Sequence, residues 1–230
     1  MPTAENHLIE LLPRKDRRRL LNLAEKVDLA PSEVLGGVGE PTRHVYFPID
    51  GFISMVTSID GKPVLEVGMI GREGMFGAQL ALNVPTQPLH ALVQGAGSAW
   101  RVTSGAFSRE LKQSAALKET LHRYMYVLMS QLAASAACIR FHPIDARLGR
   151  WLLMMHDRAH ADSFWVTHEF LAFMLGVRRV GVTLAAGVLQ RRGLIEYSRG
   201  RVTVLDRKKL AAATCSCYAS DRQTYARIMH

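Results

Sequence analysis

The sequence predicts an α+β chain: an N-terminal antiparallel β-roll, jelly-roll-like, then one long helix, then a C-terminal winged helix-turn-helix. Three observations predict it. Between about Val27 and Val102, Gly, Pro and β-branched residues dominate, with Asp-Gly pairs at 50–51 and 60–61. Such pairs between alternating apolar runs signal tight turns of antiparallel strands. From about Ser104 to Arg140 the apolar spacing becomes helical. Beyond Pro143, short helical runs end in two strand-like runs around Ser198-Arg199-Gly200. The expected division is 1–105 for the N-terminal helix and roll, 106–141 for the long helix and 142–230 for the last domain.

Taken in order, Ala4 to Ala24 has helical leucine spacing interrupted at Pro13, which cannot donate within a helix. Phe52–Ile59 and Val64–Ile70 are expected as strands flanking Asp60-Gly61. Further Gly corners follow at 71, 74, 77, 95 and 97, as a small roll requires. In the long helix, Leu117, Leu121, Tyr124, Leu128 and Gln131 recur by four and three residues, continuing to Ser135. This heptad-like seam predicts a helix that pairs with a second copy. Helices are then expected over about Ile144–Asp157, Thr167–Leu175 and Arg178–Arg191. Strands follow at Leu194–Tyr197 and Arg201–Leu205, and Asp206 can cap a last helix.

Charge is distributed unevenly. The 230 residues carry a net charge of +9, with 48% hydrophobic and 21% charged residues. Residues 1–139 hold 14 Lys/Arg against 13 Asp/Glu, whereas 140–230 hold 15 against 7. A basic C-terminal part beside a near-neutral remainder points to a polyanion as partner. The composition excludes wholesale disorder, and no run reaches the roughly 20 apolar residues that cross a bilayer. Three cysteines (Cys138, Cys215, Cys217) make no disulfide framework and fit a reducing compartment. With no signal peptide at the N-terminus, a cytoplasmic location is expected.

The segment from Thr167 to Leu184 carries the function. Thr167 suits an N-cap and Glu169 the first turn of a helix. Ala172 is small enough for a close crossing, and Gly176 stands where a turn needs positive φ. Arg178 and Arg179 then open a second helix, at the end that enters a major groove, where Arg can bond guanine O6 and N7. Tyr197, Arg199 and Arg201 form a basic wing suited to phosphates. The DNA-contacting set is therefore Thr167, His168, Arg178, Arg179, Thr183, Gln190, Arg199 and Arg201.

This order of elements resembles the Crp/Fnr family of bacterial transcription regulators over almost the whole chain. The resemblance rests on Val45-Tyr46-Phe47-Pro48, Gly51-Phe52-Ile53-Ser54, Ile70-Gly71-Arg72-Glu73-Gly74 and Arg147-Leu148-Gly149-Arg150-Trp151-Leu152-Leu153. The helix-turn-helix with Leu189-Gln190 and Gly193-Leu194-Ile195 completes it. It implies a non-enzymatic cytoplasmic homodimer on double-stranded DNA, reading a two-fold operator with half-sites ~34 Å apart. It also admits RNA polymerase as a partner and a roll that senses an unidentified effector. The matching ligand pocket would involve Arg72, Glu73, Gly77, Gln79, Thr86 and Gln87.

The chain departs from the family in that pocket. Relatives that bind cyclic AMP place Glu after a Gly and Arg before Ser or Thr. Here Ala78 follows Gly77, and no arginine lies between Arg72 and Arg101. Burying a phosphate without a cation is costly. Residues 1–137 contain no cysteine, so an N-terminal iron–sulfur cluster of the family's oxygen-sensing type is not expected. Cys215-x-Cys217 alone is too small a set for structural zinc, and no metal, cofactor or catalytic residue is expected. His156 and His160 read as a solvated pair. Val180 and Leu184 replace the charged residues that relatives carry on the second helix, so a different operator is expected. Two alternatives stay open: a ligand-free roll, and a small-molecule-binding or catalytic roll with a basic docking domain. Isothermal calorimetry is expected to show no micromolar binding of cyclic AMP; a micromolar isotherm would mean that another group supplies the missing cation.

Overall fold

A computed structural model describes residues 5–57, 65–159 and 161–230. The helices α1 (His7–Glu10) and α2 (Arg14–Asn22) come first. The strands β1 (Glu25–Leu29), β2 (Val34–Gly36), β3 (His44–Pro48), β4 (Phe52–Thr57) and β5 (Leu65–Ile70) follow. A 3₁₀ turn (Ala78–Leu82) precedes β6 (His90–Gly95) and β7 (Gly97–Thr103). Next come α3 (Ser104–Gln113), α4 (Ala115–Phe141), α5 (Ile144–Ala159), β8 (Ser163–Trp165), α6 (His168–Leu175) and α7 (Arg179–Arg191). The chain ends with β9 (Ile195–Ser198), β10 (Arg201–Val204), α8 (Arg207–Ala213) and α9 (Ser216–Met229). It forms two compact units: Met1–Met55 with Met69–Met129 and Arg227–His230, and Val56–Gly68 with Ser130–Ala226.

The first unit is the roll. One antiparallel sheet runs β1-β7-β3, and a second runs β2-β6-β4-β5. Leu29, Tyr46, Ile53, Ile70, Phe76, Ala91, Val93 and Ala99 form its buried core. Nearly every residue of β3 is buried, which is why His44–Pro48 reads as an apolar run instead of an alternating one. Asn6 fastens α1. Its Nδ2 donates to the carbonyls of Pro48 and Gly74, both at 2.9 Å, and its Oδ1 accepts from Ile9 N–H. Arg19 of α2 pairs with the buried Glu110 of α3 at 2.7 Å. The Tyr124 hydroxyl of α4 accepts from Met75 N–H at 3.3 Å.

The second unit is built around α5. Its run from Arg147 to Met155 is buried except for the half-buried Met154. Four positions of the Arg147–Trp151 segment meet different neighbours. Arg147 Nη2 donates to the carbonyl of Leu175. The bare Cα of Gly149 faces Leu210 and Thr214. Arg150 pairs with Asp221 of α9 at 2.7 Å, and Trp151 Nε1 donates to Glu66 at 2.9 Å. A three-stranded sheet, β8-β10-β9, completes the unit.

Several expectations change. The long helix is broken at Ser114, whose Oγ accepts Leu117 N–H at 3.0 Å and starts α4 as a new helix. Asp50-Gly51 does not close a hairpin: β3 and β4 lie in different sheets, so this turn carries the chain from one to the other. The expected seam is partly turned inward. Leu117, Leu121 and Tyr124 are buried within their own unit, and Leu128 and Gln131 are half-buried. The exposed stripe is instead Tyr126, Met129, Ala133, Ala136 and Arg140, again alternating by three and four residues. Helix α4 carries two seams, and periodicity alone does not say which one its own roll covers. Helix α9 and strand β8 were not anticipated. Ala4, Asp60-Gly61 with Ile59 and Val64, and His160 lie outside the described residues. His156 meets Asp162 at 2.8 Å.

A Cβ on Gly74 would lie 2.7 Å from Tyr124 Cζ. Gly74→Ala is therefore expected to destabilise the protein by about 1–3 kcal/mol through overpacking, read as a lower urea midpoint. An unchanged midpoint would show that the α4–roll contact yields at no cost.

Candidate nucleic-acid interface

Helices α6 and α7 meet at 105°, within the range of a helix-turn-helix pair. The turn between them is set locally. Gly176 has φ 61°, Val177 N–H bonds Ala172 C=O at 2.9 Å, and Gly176 N–H bonds Phe173 C=O at 3.1 Å. This paired return satisfies the last carbonyls of α6 and needs a residue without a Cβ. The Arg147 guanidinium takes the Leu175 carbonyl beside it, and burial pulls the Arg147 pKa down. Thr167 caps α6, its Oγ1 accepting Phe170 N–H at 3.1 Å. Arg178 stands at the start of α7 in extended conformation and makes no side-chain cap, so the first amides of α7 are left for another acceptor.

The outward face of α7 is mixed. Arg178, Arg179, Thr183 and Gln190 are exposed. So are two apolar side chains one turn apart, Val180 at 62% and Leu184 at 67%. Val182, Ala185, Ala186 and Leu189 form the buried face. A second return of the same kind at Gly193, with φ 65°, ends α7 and turns the chain into β9.

The wing is the β9–β10 hairpin. Its two-residue loop is Arg199-Gly200, with φ 50° and 82°, as a type I′ turn demands. Glycine, asparagine or aspartate is usual at the first of these positions; an arginine held there carries backbone strain. Arg199 and Arg201 are both exposed. Trp165 of β8, paired with Arg201, is 75% exposed beside Gly200. Sequence reading missed Trp165, because the strand that displays it is only three residues long.

The structure joins four of these residues into one unit. The ring of His168 stacks on Tyr197 with centroids 4.3 Å apart. Its Nδ1 lies 3.0 Å from Thr183 Oγ1, which donates to Arg179 C=O at 3.1 Å. A hydroxyl has one proton to give, so with that proton on the carbonyl, Nδ1 must be the donor and Nε2 the bare nitrogen. Nε2 is buried and meets no partner among the described residues. His168 and Thr183 thus hold α6, α7 and the wing in register, and Thr167 acts as a cap. Arg178, Arg179, Gln190, Arg199 and Arg201 remain as the free polar surface.

The roll residues are not gathered in one place. Gln79 and Gln87 both donate to Thr42 Oγ1, at 2.7 and 2.6 Å, and Gln87 is buried. Thr86 bridges to Pro41, and Gly77 packs against Val45. Arg72 and Glu73 sit at another corner: the Arg72 carbonyl accepts from His7 N–H, and Glu73 accepts from Gly71 N–H.

Residues 146–213 match the family described as the Crp-like helix-turn-helix domain. A protein from Eubacterium rectale, described as a transcriptional regulator of the Crp/Fnr family, has the same fold at TM-score 0.70 and 17% identity, over 89% of this chain and 96% of its own. FixK2 from Bradyrhizobium japonicum gives 0.70 and 16%, over 84% and 98%. The c-di-GMP-responsive regulator CLP of Xanthomonas campestris gives 0.67 and 15%, over 84% and 100%. At these identities the structural likeness is one of fold. A search of curated proteins finds no match.

The last part of the chain carries a Crp-like helix-turn-helix domain.

Among the described residues, no single helix is long and apolar enough to cross a membrane. The stability of the helix-turn-helix is expected to depend on pH through His168. Burial, and then the charge of Arg179, hold this imidazole below its ordinary pKa of 6.5. The folded chain therefore binds fewer protons than the unfolded one as pH falls through 6.5, and stability falls with it. On going from pH 7.5 to pH 5, His168→Gln is expected to lose less urea stability than the parent chain. Equal losses would show that His168 titrates alike in both states.

Proposed function

We propose that the protein binds a two-fold-symmetric operator as a homodimer, with α7 in the major groove and the β9–β10 wing on the flanking phosphates. The observation that carries this reading is the exposed basic start of α7, held at 105° to α6 by the Gly176 turn and the Arg147 contact. The strained Arg199 supports the wing's role: its position favours glycine, and a phosphate contact gives a reason to keep arginine there. Val180 and Leu184 present apolar groups where the groove exposes thymine methyls. Direct reading then combines Arg178 and Arg179 on guanine with Val180 and Leu184 on thymine, and Gln190 reaches the backbone.

The stripe Tyr126, Met129, Ala133, Ala136 and Arg140 supports pairing of α4 with a second copy. Its alanines permit close approach, and Met129 is 62% exposed among the described residues. We propose further that the roll takes no cyclic nucleotide. Gln79 and Gln87 are turned onto Thr42 instead of outward, which supports the ligand-free reading. RNA polymerase and an effector of other chemistry remain proposals on the family resemblance alone.

The experiment is operator selection followed by titration at several salt concentrations. Arg179→Ala is expected to weaken the selected site by about 1–3 kcal/mol and to relax one base position. Arg199→Ala is expected to weaken all sequences alike and to lower the salt slope by about one. Deoxyuridine in place of thymine is expected to reduce binding to the parent and not to a Val180→Ala, Leu184→Ala variant. Met129→Glu is expected to give a monomer by light scattering and to abolish binding to the paired half-sites. A salt-independent affinity, or a dimer that survives Met129→Glu, would count against the reading.

A further inference from the structure

All three cysteines of the chain converge at one place, together with a histidine. Cys138 lies in the last turn of α4 and His142 four residues on. His142 N–H still bonds the Cys138 carbonyl at 3.1 Å, so both side chains leave one side of the helix end. Cys215 immediately precedes α9 and Cys217 lies in its first turn. The two segments are 77 residues apart between Cys138 and Cys215. Sequence reading saw only the Cys215-x-Cys217 pair and expected no metal; the fold doubles the set.

The geometry points to a structural site for one Zn²⁺, ligated by Cys138, His142, Cys215 and Cys217. Zinc takes thiolate sulfur at about 2.3 Å and imidazole nitrogen at about 2.0–2.1 Å in tetrahedral array. Those lengths require S···S edges of about 3.8 Å and S···N edges of about 3.6 Å. The Cys138–Cys215 sulfurs are 3.6 Å apart, and Cys217 Sγ lies 3.6 Å from His142 Nδ1. All four ligand atoms fall within 4.8 Å of one another, so the remaining edges close by about 1 Å at most. The set is too tight for a multi-iron cluster. With four protein ligands it leaves no open position, so the ion is a brace and not a catalyst.

The surroundings suit that charge. Three thiolates and one Zn²⁺ leave the site at −1, the three thiol protons going to solvent with no change of oxidation state. The guanidinium of Arg150 acts on the Cys138 sulfur and is itself held by Asp221 at 2.7 Å and Ser135 at 3.3 Å. A buried cation fixed beside a thiolate ligand is the kind of outer support that metal sites use. Cys138 and Cys215 are buried, while His142 and Cys217 are half-buried, which leaves a path for the ion. When bound, the metal clamps the end of α4 to the start of α9.

The test uses the full-length chain, reduced and stripped with a chelator, with Co²⁺ as probe and Zn²⁺ as competitor. One Co²⁺ per chain is expected, with a thiolate-to-cobalt charge-transfer band and the intense visible bands of a tetrahedral site. One equivalent of Zn²⁺ is expected to bleach both. Cys217→Ser is expected to lower the charge-transfer intensity and weaken Zn²⁺ by at least ~100-fold. His142→Ala is expected to shift the visible bands and leave the charge-transfer band in place. Absence of a charge-transfer band in the parent chain overturns the proposal without recourse to any variant. So does a Cys217→Ser spectrum identical to the parent's. A Cys138–Cys215 disulfide that forms as readily with Zn²⁺ present as without it also overturns it, marking the cluster as a thiol pair.

Discussion

The contact between the Arg147 guanidinium and the Leu175 carbonyl underlies the DNA-facing geometry. A helix ends with unsatisfied carbonyls, and α6 ends where the chain must turn by 105° into α7. A hydrogen bond from a charged donor contributes about 1.5–3 kcal/mol, and here it acts at the carbonyl just before the left-handed Gly176. The turn is thereby fixed from two sides: by the backbone return that only glycine accommodates easily, and by a buried cation on α5. Residues next to Arg147 on the same helix hold α8, α9 and the β5 end of the unit. In the pattern Arg-Leu-Gly-Arg-Trp, Arg147, Gly149, Arg150 and Trp151 are thus anchors spaced along one helix, each with its own partner.

The helix α4 illustrates a different constraint. At about 1.5 Å per residue its 27 residues run ~40 Å. One seam, Leu117, Leu121 and Tyr124, is consumed by the roll. The other, from Tyr126 to Arg140, is left facing outward. Two seams on one helix mean that burial of the first leaves the second exposed. Alanines 133, 136 and 137 are the small residues of that outward face.

The sites differ in how far they could be read from the chain. The Thr167 cap, Gly176, Arg178, Arg179 and the Asp206 cap are local features whose chemistry depends on near neighbours, and they sit where their spacing implies. The wing was legible for the same reason, through Arg199-Gly200. The partnership of His168 with Thr183 and Tyr197 was not, since it joins elements through side-chain stacking that leaves no periodic trace. Trp165 escaped notice because three residues are too few to show alternation. The resemblance implies one pocket for the roll residues, yet the Arg72 carbonyl meets α1 and Glu73 its own corner, while Gln79 and Gln87 bond Thr42.

By itself, the sequence determined the class of the fold, the order of its elements and the place of the basic helix-turn-helix. Caps, glycine turns and apolar periods act over a few residues and are written in the chain directly. Only the tertiary structure decided which seam of α4 is buried, that Asp50-Gly51 joins two sheets, and that Cys138 and His142 meet Cys215 and Cys217. Those outcomes depend on which surfaces exclude water against each other, a choice made among residues far apart in the chain and fixed only when the chain packs.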